Sequence, residues 1–181
     1  MSVDLNSNFF ELFSLPAGFE IDNSALSESY RALQREFHPD RFANADSTSR
    51  RQAMQMSAHI NEAFETLKNP LLLSRYLLEL QGISMNQETD TTSDAGFLMQ
   101  QMEFREQMDE VETQADPLEA ADKLRDAVQL ENASLLKQFR SEYEQNNFDA
   151  ARQTWLKLQF YARLLEQLNL LEARLEDELL S

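Results

Sequence analysis

Apolar residues recur at helical spacing along most of this chain, and that periodicity limits the fold more than any other feature. A first stripe comprises Leu26, Tyr30, Leu33 and Phe37, and a second comprises Ala53, Ser57, Ile60, Phe64 and Leu67. Spacings of three and four residues place such side chains on one face of a helix. Residues that break helices are scarce, since the 181 residues include only 3 Gly and 4 Pro. The sequence therefore predicts an all-α protein.

Helix-capping and helix-breaking residues divide the first half of the chain. Asn8 is placed to cap a short helix, Asp22 begins the first long helix, and Pro39 ends it. A second long helix of about 20 residues ends before Pro70, since the residue before a proline disfavours helical geometry. We expect the two long helices to pack against each other as an antiparallel hairpin.

The second half is predicted to contain three helices. Asp94 caps a helix that extends to about Thr113, Asp116 precedes a second helix with Pro117 at its first position, and residues near Asn146 separate this helix from the last. The apolar positions of the last two helices keep a seven-residue rhythm: Leu124, Val128, Leu135 and Phe139, then Ala151, Trp155, Leu158, Ala162 and Leu165. This rhythm is typical of an antiparallel three-helix bundle.

Charge and composition divide the chain into two parts. Residues 1–81 hold 11 acidic and 7 basic side chains, whereas residues 82–181 hold 21 and 9. The stretch that starts at Gly82 is rich in Ser, Thr, Asn and Asp, which is typical of an exposed connection. We therefore predict an N-terminal domain at residues 1–81, a linker at residues 82–93 and a helical domain at residues 94–181.

Composition argues against several classes of protein. The chain contains no Cys, so disulfides, thiolate zinc sites and cysteine nucleophiles are excluded, and His38 and His59 belong to no metal-binding motif. The glycine motifs that bind phosphate groups do not occur. A net charge of −16 argues against binding to nucleic acid or to an anionic membrane. We expect no cofactor and no enzymatic activity.

The N-terminus and the hydropathy pattern predict a cytoplasmic protein. The segment MSVDLNSNFF has neither the basic region nor the apolar core of a signal peptide. No apolar run reaches the length of about 18 residues that a membrane helix needs. The lack of Cys also fits a reducing compartment.

The stretch RALQREFHPDRF, residues 31–42, places a His-Pro-Asp turn between the two long helices of the first half. Proline fixes φ and lacks an N–H, so the turn is stiff and holds its neighbours exposed at the end of the hairpin. Asp40 can then meet an arginine of a partner protein. The neighbouring basic residues suit an acidic partner surface; they are Arg31, Arg35 and Arg41. Taken alone, the tripeptide is usually an ordinary turn, and its flanking helices are what favour a docking function.

The helix predicted at residues 94–113 carries two apolar faces. At about 100° per residue, one group spans about 60° and predicts the buried stripe; its members are Phe97, Phe104, Met108 and Val111. A second group falls on the opposite face: Leu98, Met99, Met102, Glu103, Glu106 and Glu110. On the last helix, Phe160 projects about 180° away from the stripe that contains Trp155. Exposed Met, Leu and Phe beside carboxylates are typical of a partner-binding surface, although burial of both faces in the bundle stays open.

Several stretches carry a resemblance to a known family. The His-Pro-Asp turn, preceded by Tyr-Arg-x-Leu-x-x-x-Phe and followed by INEAFETLKNPLLLSRYLL, resembles the J-domain of Hsp70 co-chaperones. From about residue 8 to residue 180 the chain is similar to the HscB co-chaperones of iron–sulfur cluster assembly. The shared segments are the end of the J-domain, NPLLLSRYLLELQG, and the opening of the second domain, GFLMQQMEFREQMDEVE. Eukaryotic members carry an N-terminal zinc module built from cysteines, so this cysteine-free chain resembles the bacterial type, which needs no metal.

The resemblance implies two binding sites. In J-domains the turn and the basic helix face dock on an Hsp70 and accelerate its ATP hydrolysis, which assigns that role to His38, Pro39, Asp40, Arg31, Arg35 and Arg41. In HscB proteins the second domain binds the cluster scaffold IscU, which assigns that role to Leu98, Met99, Met102, Glu103, Glu106, Glu110 and Phe160. The Hsp70 partner would be the specialised chaperone HscA. Gln34 and Glu36 make the helix less basic than in many J-domains, which predicts a restricted choice of Hsp70.

The expected architecture is an elongated or L-shaped all-α monomer, in which a J-domain precedes a three-helix bundle. Two other functions remain as alternatives. In the first, the bundle is a dimerisation element of an adaptor protein and the His-Pro-Asp hairpin is incidental. In the second, less favoured, the carboxylate row serves a metal-dependent hydrolase.

Overall fold

The computed structural model describes residues 7–85 and 94–179, and within these ranges it contains seven α-helices and no strand. The all-α class predicted from the apolar periodicity is therefore confirmed. The chain divides into two compact units, Met1–Leu80 and Gln81–Ser181. Residues 86–93 of the predicted linker lie outside the described residues, and the extent of the linker stays a prediction.

The first unit contains four helices: α1 (Phe9–Leu12), α2 (Asn23–Phe37), α3 (Ser47–Lys68) and α4 (Pro70–Leu80). Side-chain caps begin the first three, as Asn8, Asp22 and Asp46 each accept hydrogen bonds from backbone N–H groups of the first turn. These caps supply partners for N–H groups that a helix leaves unpaired at its start. The predicted helix starts at Asn8 and Asp22 are confirmed.

The hairpin of α2 and α3 is held together by aromatic stacking. The ring of Tyr30 on α2 lies 4.1 Å from the ring of Phe64 on α3, and its hydroxyl lies 3.0 Å from Oδ1 of Asn61. The buried residues of α3 are Ala53, Met56, Ile60, Ala63 and Leu67. The predicted stripe included Ser57 and Phe64, which are half-buried instead. The buried surface is broader than one stripe because α3 packs against α1, α2 and α4.

The second unit contains three helices: α5 (Ala95–Glu110), α6 (Pro117–Glu144) and α7 (Phe148–Leu179). The α-helix predicted to reach Thr113 ends at Glu110 and continues as a 3₁₀ turn, Val111–Thr113. Asn146 adopts φ 58° between α6 and α7, and the N–H of Asn147 donates to the carbonyl of Glu142 at 2.9 Å. A left-handed residue combined with a hydrogen bond that spans five residues is a Schellman motif, and it ends α6 sharply.

The core of the second unit joins all three helices. Its buried members are Phe97, Phe104, Val111, Ala121, Leu124, Val128, Tyr161, Leu164, Leu168 and Leu175. On α7 the predicted inward residues Ala162 and Leu165 are half-buried, and their place is taken by Tyr161 and Leu164. This one-residue change turns the stripe by about 100°. The physical reason is that this part of α7 packs against both α5 and α6, which a single straight stripe would not cover.

Throughout residues 7–85 and 94–179, no helix combines the length and the apolar character of a membrane span.

Candidate functional site

The His-Pro-Asp turn forms a single turn of 3₁₀ helix, Pro39–Phe42, between α2 and α3. His38 leaves α2 in an extended conformation with φ −60° and ψ 128°, which suits a residue that precedes proline. The Nδ1 atom of His38 accepts a hydrogen bond from the backbone N–H of Asp40 at 3.3 Å. The N–H of Arg41 donates to the carbonyl of His38 at 3.0 Å. Hydrogen bonds among its own residues therefore close the turn.

The carboxylate of Asp40 projects into solvent. Its side chain is 91% exposed, whereas the side chain of His38 is 51% exposed. A carboxylate on a stiff turn has little conformational freedom left to lose when a partner binds. It is open to a cationic group of another protein. The outward orientation expected of Asp40 is present, and its role in docking stays a prediction.

The three arginines of this surface do not share the same surroundings. Arg31 and Arg35 are exposed on α2. Arg41 is also exposed, but its Nη1 donates to the backbone carbonyl of Arg35 at 2.7 Å. That bond satisfies one of the carbonyls left unpaired at the end of α2 and ties the turn to the helix. The structure thus joins Arg41 to the end of α2 at Arg35, which gives Arg41 a partly structural role, while Arg31 lies one helical turn before Arg35.

Both predicted faces of α5 are present. Phe97 and Phe104 are 5% and 8% exposed, whereas Leu98, Met99 and Met102 are 44%, 72% and 71% exposed. The carboxylate residues Glu103, Glu106 and Glu110 are exposed as well. The docking patch is the name used below for Leu98, Met99, Met102, Glu103, Glu106 and Glu110. Its outward orientation, predicted from helical angles, is confirmed, while its partner stays a prediction.

Phe160 does not project into solvent as the sequence predicted. Its ring is half-buried, edge-on to Phe97 with 5.7 Å between centroids, and it lies 5.3 Å from the ring of Tyr161. The guanidinium of Arg105 lies 5.9 Å from the centroid of Phe160. The predicted exposure is wrong because the inward stripe of α7 has turned to Tyr161, which brings Phe160 toward α5. Phe160 therefore packs against the core of the bundle, with Arg105 of α5 beside its ring.

Arg105 is a neighbour of the docking patch that the sequence prediction left out. It is exposed on α5, one position before Glu106 and three after Met102. A shallow depression on this side of the helix is lined by Met102, Arg105, Glu106, Asp109, Glu110 and Thr113. The helical spacing could have predicted that Arg105 lies beside the patch, because residues seven apart, such as Leu98 and Arg105, share a face.

The carboxylates of the docking patch lie in water beside apolar side chains. Within the described parts of the chain, no group of three His, Cys, Asp or Glu side chains is placed to hold a metal ion. Exposed acidic and apolar groups on one helix face are suited to a protein surface with complementary apolar and basic groups.

The chain is similar to several known proteins. The family model described as the HSCB C-terminal oligomerisation domain matches residues 93–169. The co-chaperone protein HscB homolog of Vibrio cholerae is 44% identical over 173 residues, which cover 96% of this chain and 99% of that protein. The solved structure of the chaperone HscB from Vibrio cholerae superposes with a TM-score of 0.83 at 43% identity, covering 96% of this chain and 99% of the other. The crystal structure of human co-chaperone protein HscB gives a TM-score of 0.84 at 28% identity, covering 92% and 83%.

These likenesses extend over nearly the whole chain and include both units. The relative from Vibrio cholerae is bacterial, in keeping with a sequence that contains no Cys. The chain belongs to the HscB family of J-type co-chaperones of iron–sulfur cluster assembly and is of the bacterial type.

Proposed function

We propose that this chain binds the iron–sulfur scaffold IscU, delivers it to the specialised Hsp70 HscA and stimulates ATP hydrolysis by HscA, which promotes cluster transfer. The observation that carries the proposal is the docking patch, where large apolar side chains are exposed opposite the buried face of the same helix. In this role the protein is a cytoplasmic monomer that binds its partners and does no chemistry of its own.

Scaffold binding is supported by the chemistry of the docking patch. Leu98, Met99 and Met102 offer apolar area that water solvates poorly, and methionine adapts its shape to a partner. Three carboxylates border this area and favour a partner with basic groups at the rim. Phe160 contacts Phe97 on the buried side of the same helix and so helps to hold α5 in place.

Stimulation of the chaperone is supported by the His-Pro-Asp turn. The turn holds Asp40 outward on a closed backbone, so a chaperone arginine can pair with the carboxylate at small entropic cost. Arg31 and Arg35 lie on the adjoining helix and steer an acidic surface toward the same end of the hairpin.

Two docking surfaces on one chain allow the protein to deliver the scaffold to the chaperone. A scaffold held by the second unit is present at high local concentration when the first unit engages the chaperone. The proposal therefore requires both surfaces on the same molecule.

The decisive experiment measures single-turnover ATP hydrolysis by purified HscA with IscU present. The wild-type chain should stimulate hydrolysis strongly, while Asp40→Asn and a Leu98→Ala, Met102→Ala double variant should each lose the joint stimulation. An equimolar mixture of these two proteins should not restore it, because delivery fails when the surfaces are on separate molecules. Leu130→Ala is a matched control, since Leu130 is 71% exposed on α6 outside the docking patch. Full restoration by the mixture would contradict delivery.

A second measurement separates a monomeric co-chaperone from an adaptor that self-associates. The family that matches residues 93–169 is described as an oligomerisation domain, so self-association is the alternative to be tested. Sedimentation at micromolar concentration should give the mass of one chain, 21.0 kDa. A stable dimer whose formation is lost together with the docking patch would instead favour the adaptor.

A further inference from the structure

We propose that two ion pairs position α5, the helix of the docking patch, on α7: Asp94 with Lys157 at its start and Glu112 with Arg174 just past its end. The inference rests on the proposed function, because it names positioning residues for scaffold binding. All four residues lie outside the set predicted to contact the scaffold.

The first pair joins the cap of α5 to α7. The Nζ of Lys157 donates to Oδ2 of Asp94 at 2.6 Å, while Oδ1 of Asp94 accepts from the N–H of Phe97 at 3.1 Å. The ammonium also lies 5.5 Å from the centroid of the Phe97 ring. The side chains of Lys157 and Asp94 are 20% and 44% exposed, so solvent screens the ammonium less than the carboxylate. One carboxylate thus fixes both the first turn of α5 and its place on α7.

The second pair lies at the other end of α5. Glu112 in the 3₁₀ turn pairs with the guanidinium of Arg174 on α7. The two side chains are 50% and 56% exposed, so this pair is the weaker of the two. The spans 94–112 and 157–174 measure about 27 Å and about 26 Å at a rise of 1.5 Å per residue. Their near-equal lengths let both pairs form at a single register of two parallel helices.

The need for such positioning follows from the division of faces on α5. Phe97 and Phe104 are the buried residues of this helix and Met108 is half-buried against the core, while the opposite face is occupied by the docking patch. A helix with so little buried surface is held less firmly against rotation and sliding than one with a full apolar stripe. A rotation of α5 by about 100°, the angle between successive residues, would turn the docking patch away from the surface on which it is exposed. The two ion pairs oppose that motion at both ends.

Charge-removing variants that keep the shape of each side chain test the inference. Asp94→Asn retains an oxygen that caps the helix, and Lys157→Met retains an unbranched chain over Phe97. Arg174→Met removes the second pair. Lys123→Met is the matched control, since it breaks the exposed pair of Lys123 and Glu119 within α6 alone. Lys157→Arg, which keeps the charge, is the rescue variant.

Two readouts are needed, one of which requires no partner. Hydrogen exchange of the α5 amides should become about two- to five-fold faster in Lys157→Met, with α6 and α7 unchanged and the difference reduced at high salt. The Kd for purified IscU should rise by about the same factor, and by more when Arg174→Met is added. Lys157→Arg should return both values toward wild type, and combining Asp94→Asn with Lys157→Met should add little to either alone.

Two results would overturn the inference. The first is faster exchange in all three helices with a lower melting temperature, which would assign the pairs to general stability. The second is wild-type exchange in α5 with both pairs removed. If the wild-type protein itself fails to bind IscU, the proposed function is wrong, whereas the exchange data still decide whether the pairs position α5.

Discussion

The backbone N–H of Asp40 donates a hydrogen bond to Nδ1 of His38 at 3.3 Å, while the carboxylate of the same aspartate is left 91% exposed. The imidazole is therefore engaged with the backbone of the turn. The carboxylate, whose Oδ2 lies 3.6 Å from the same Nδ1, is still exposed to another molecule. Proline between them fixes φ and removes a donor that this position does not need. Within the tripeptide, His38 and Pro39 shape the turn and Asp40 presents a charge.

Replacing Asp40 by Asn is expected to abolish stimulation of the HscA ATPase and leave the affinity for IscU unchanged. The amide has the size of the carboxylate and lacks its charge, so the turn persists while the pairing with a chaperone arginine is lost. ATP turnover by HscA and calorimetric titration with IscU measure the two effects. Loss of both activities would indicate a folding defect and contradict the assignment of Asp40 to chaperone docking.

Replacing His38 by Ala or by Asn separates the shape of the turn from its charge. Alanine removes the acceptor for the N–H of Asp40, whereas the Oδ1 of asparagine can take the place of Nδ1. We expect His38→Ala to weaken ATPase stimulation and His38→Asn to retain most of it. Dose–response curves of HscA turnover against each variant make the comparison. Equal loss in both variants would mean that the imidazole contacts the chaperone directly.

The sequence predicted α5 more accurately than α7, and the reason is physical. On α5 one narrow stripe meets the core, with Phe97 and Phe104 buried and Met108 half-buried. Angles counted along an ideal helix therefore place the docking patch correctly. On α7 the buried positions shift by one residue because this part of the helix packs against both α5 and α6. Tyr161 is fully buried as a result. The position of Phe160 depends on that shift, which tertiary packing sets and local periodicity does not contain.

The caps and the His-Pro-Asp turn were predictable because their chemistry is local. Asp22, Asp94 and Asp116 each accept hydrogen bonds from the first turn of the helix that follows them. By contrast, the pairs of Lys157 with Asp94 and of Arg174 with Glu112 join residues about sixty positions apart. The register of α5 against α7 decides which of these charges meet. A sequence with many carboxylates offers many possible partners for each cation, so these pairs had no distinct signal.

Truncation of the docking patch is expected to weaken scaffold binding without loss of helix. Leu98→Ala and Met102→Ala should each cost about 1–2 kcal/mol of binding free energy if they are central contacts. Leu130→Ala and Leu170→Ala are matched controls, because these leucines are 71% and 68% exposed on the same unit. Titration calorimetry gives the affinity and circular dichroism the helicity. An affinity for IscU that stays at the wild-type value in the double variant would show that the scaffold binds elsewhere.

Phe160 is expected to differ from the exposed patch residues in its effect on stability. Because its ring packs against Phe97 and Tyr161, Phe160→Ala should lower the unfolding free energy by about 1–3 kcal/mol as well as weaken scaffold binding. Phe160→Leu keeps apolar volume at the same place and should retain most of the stability. Urea unfolding and titration with IscU are measured on both. Wild-type stability in Phe160→Ala would mean that the ring is free in solution and acts as a direct anchor.

The cap of α3 should make the first unit sensitive to acid. The pKa of Asp46 is lowered from its ordinary value of 3.8, first by the hydroxyl of Ser49 and then by backbone N–H groups, with Oδ2 of Asp46 lying 2.6 Å from Oγ of Ser49. A carboxyl whose pKa is lower in the folded state stabilises fully above its unfolded pKa, and that contribution disappears as the pH falls through the folded value. Asp46→Asn retains a cap but cannot titrate, so its urea midpoint should fall less than that of the wild type between pH 7 and pH 2.5. The midpoint is followed by a probe in the first unit, and parallel curves for the two proteins would show that Asp46 is not the titrating group.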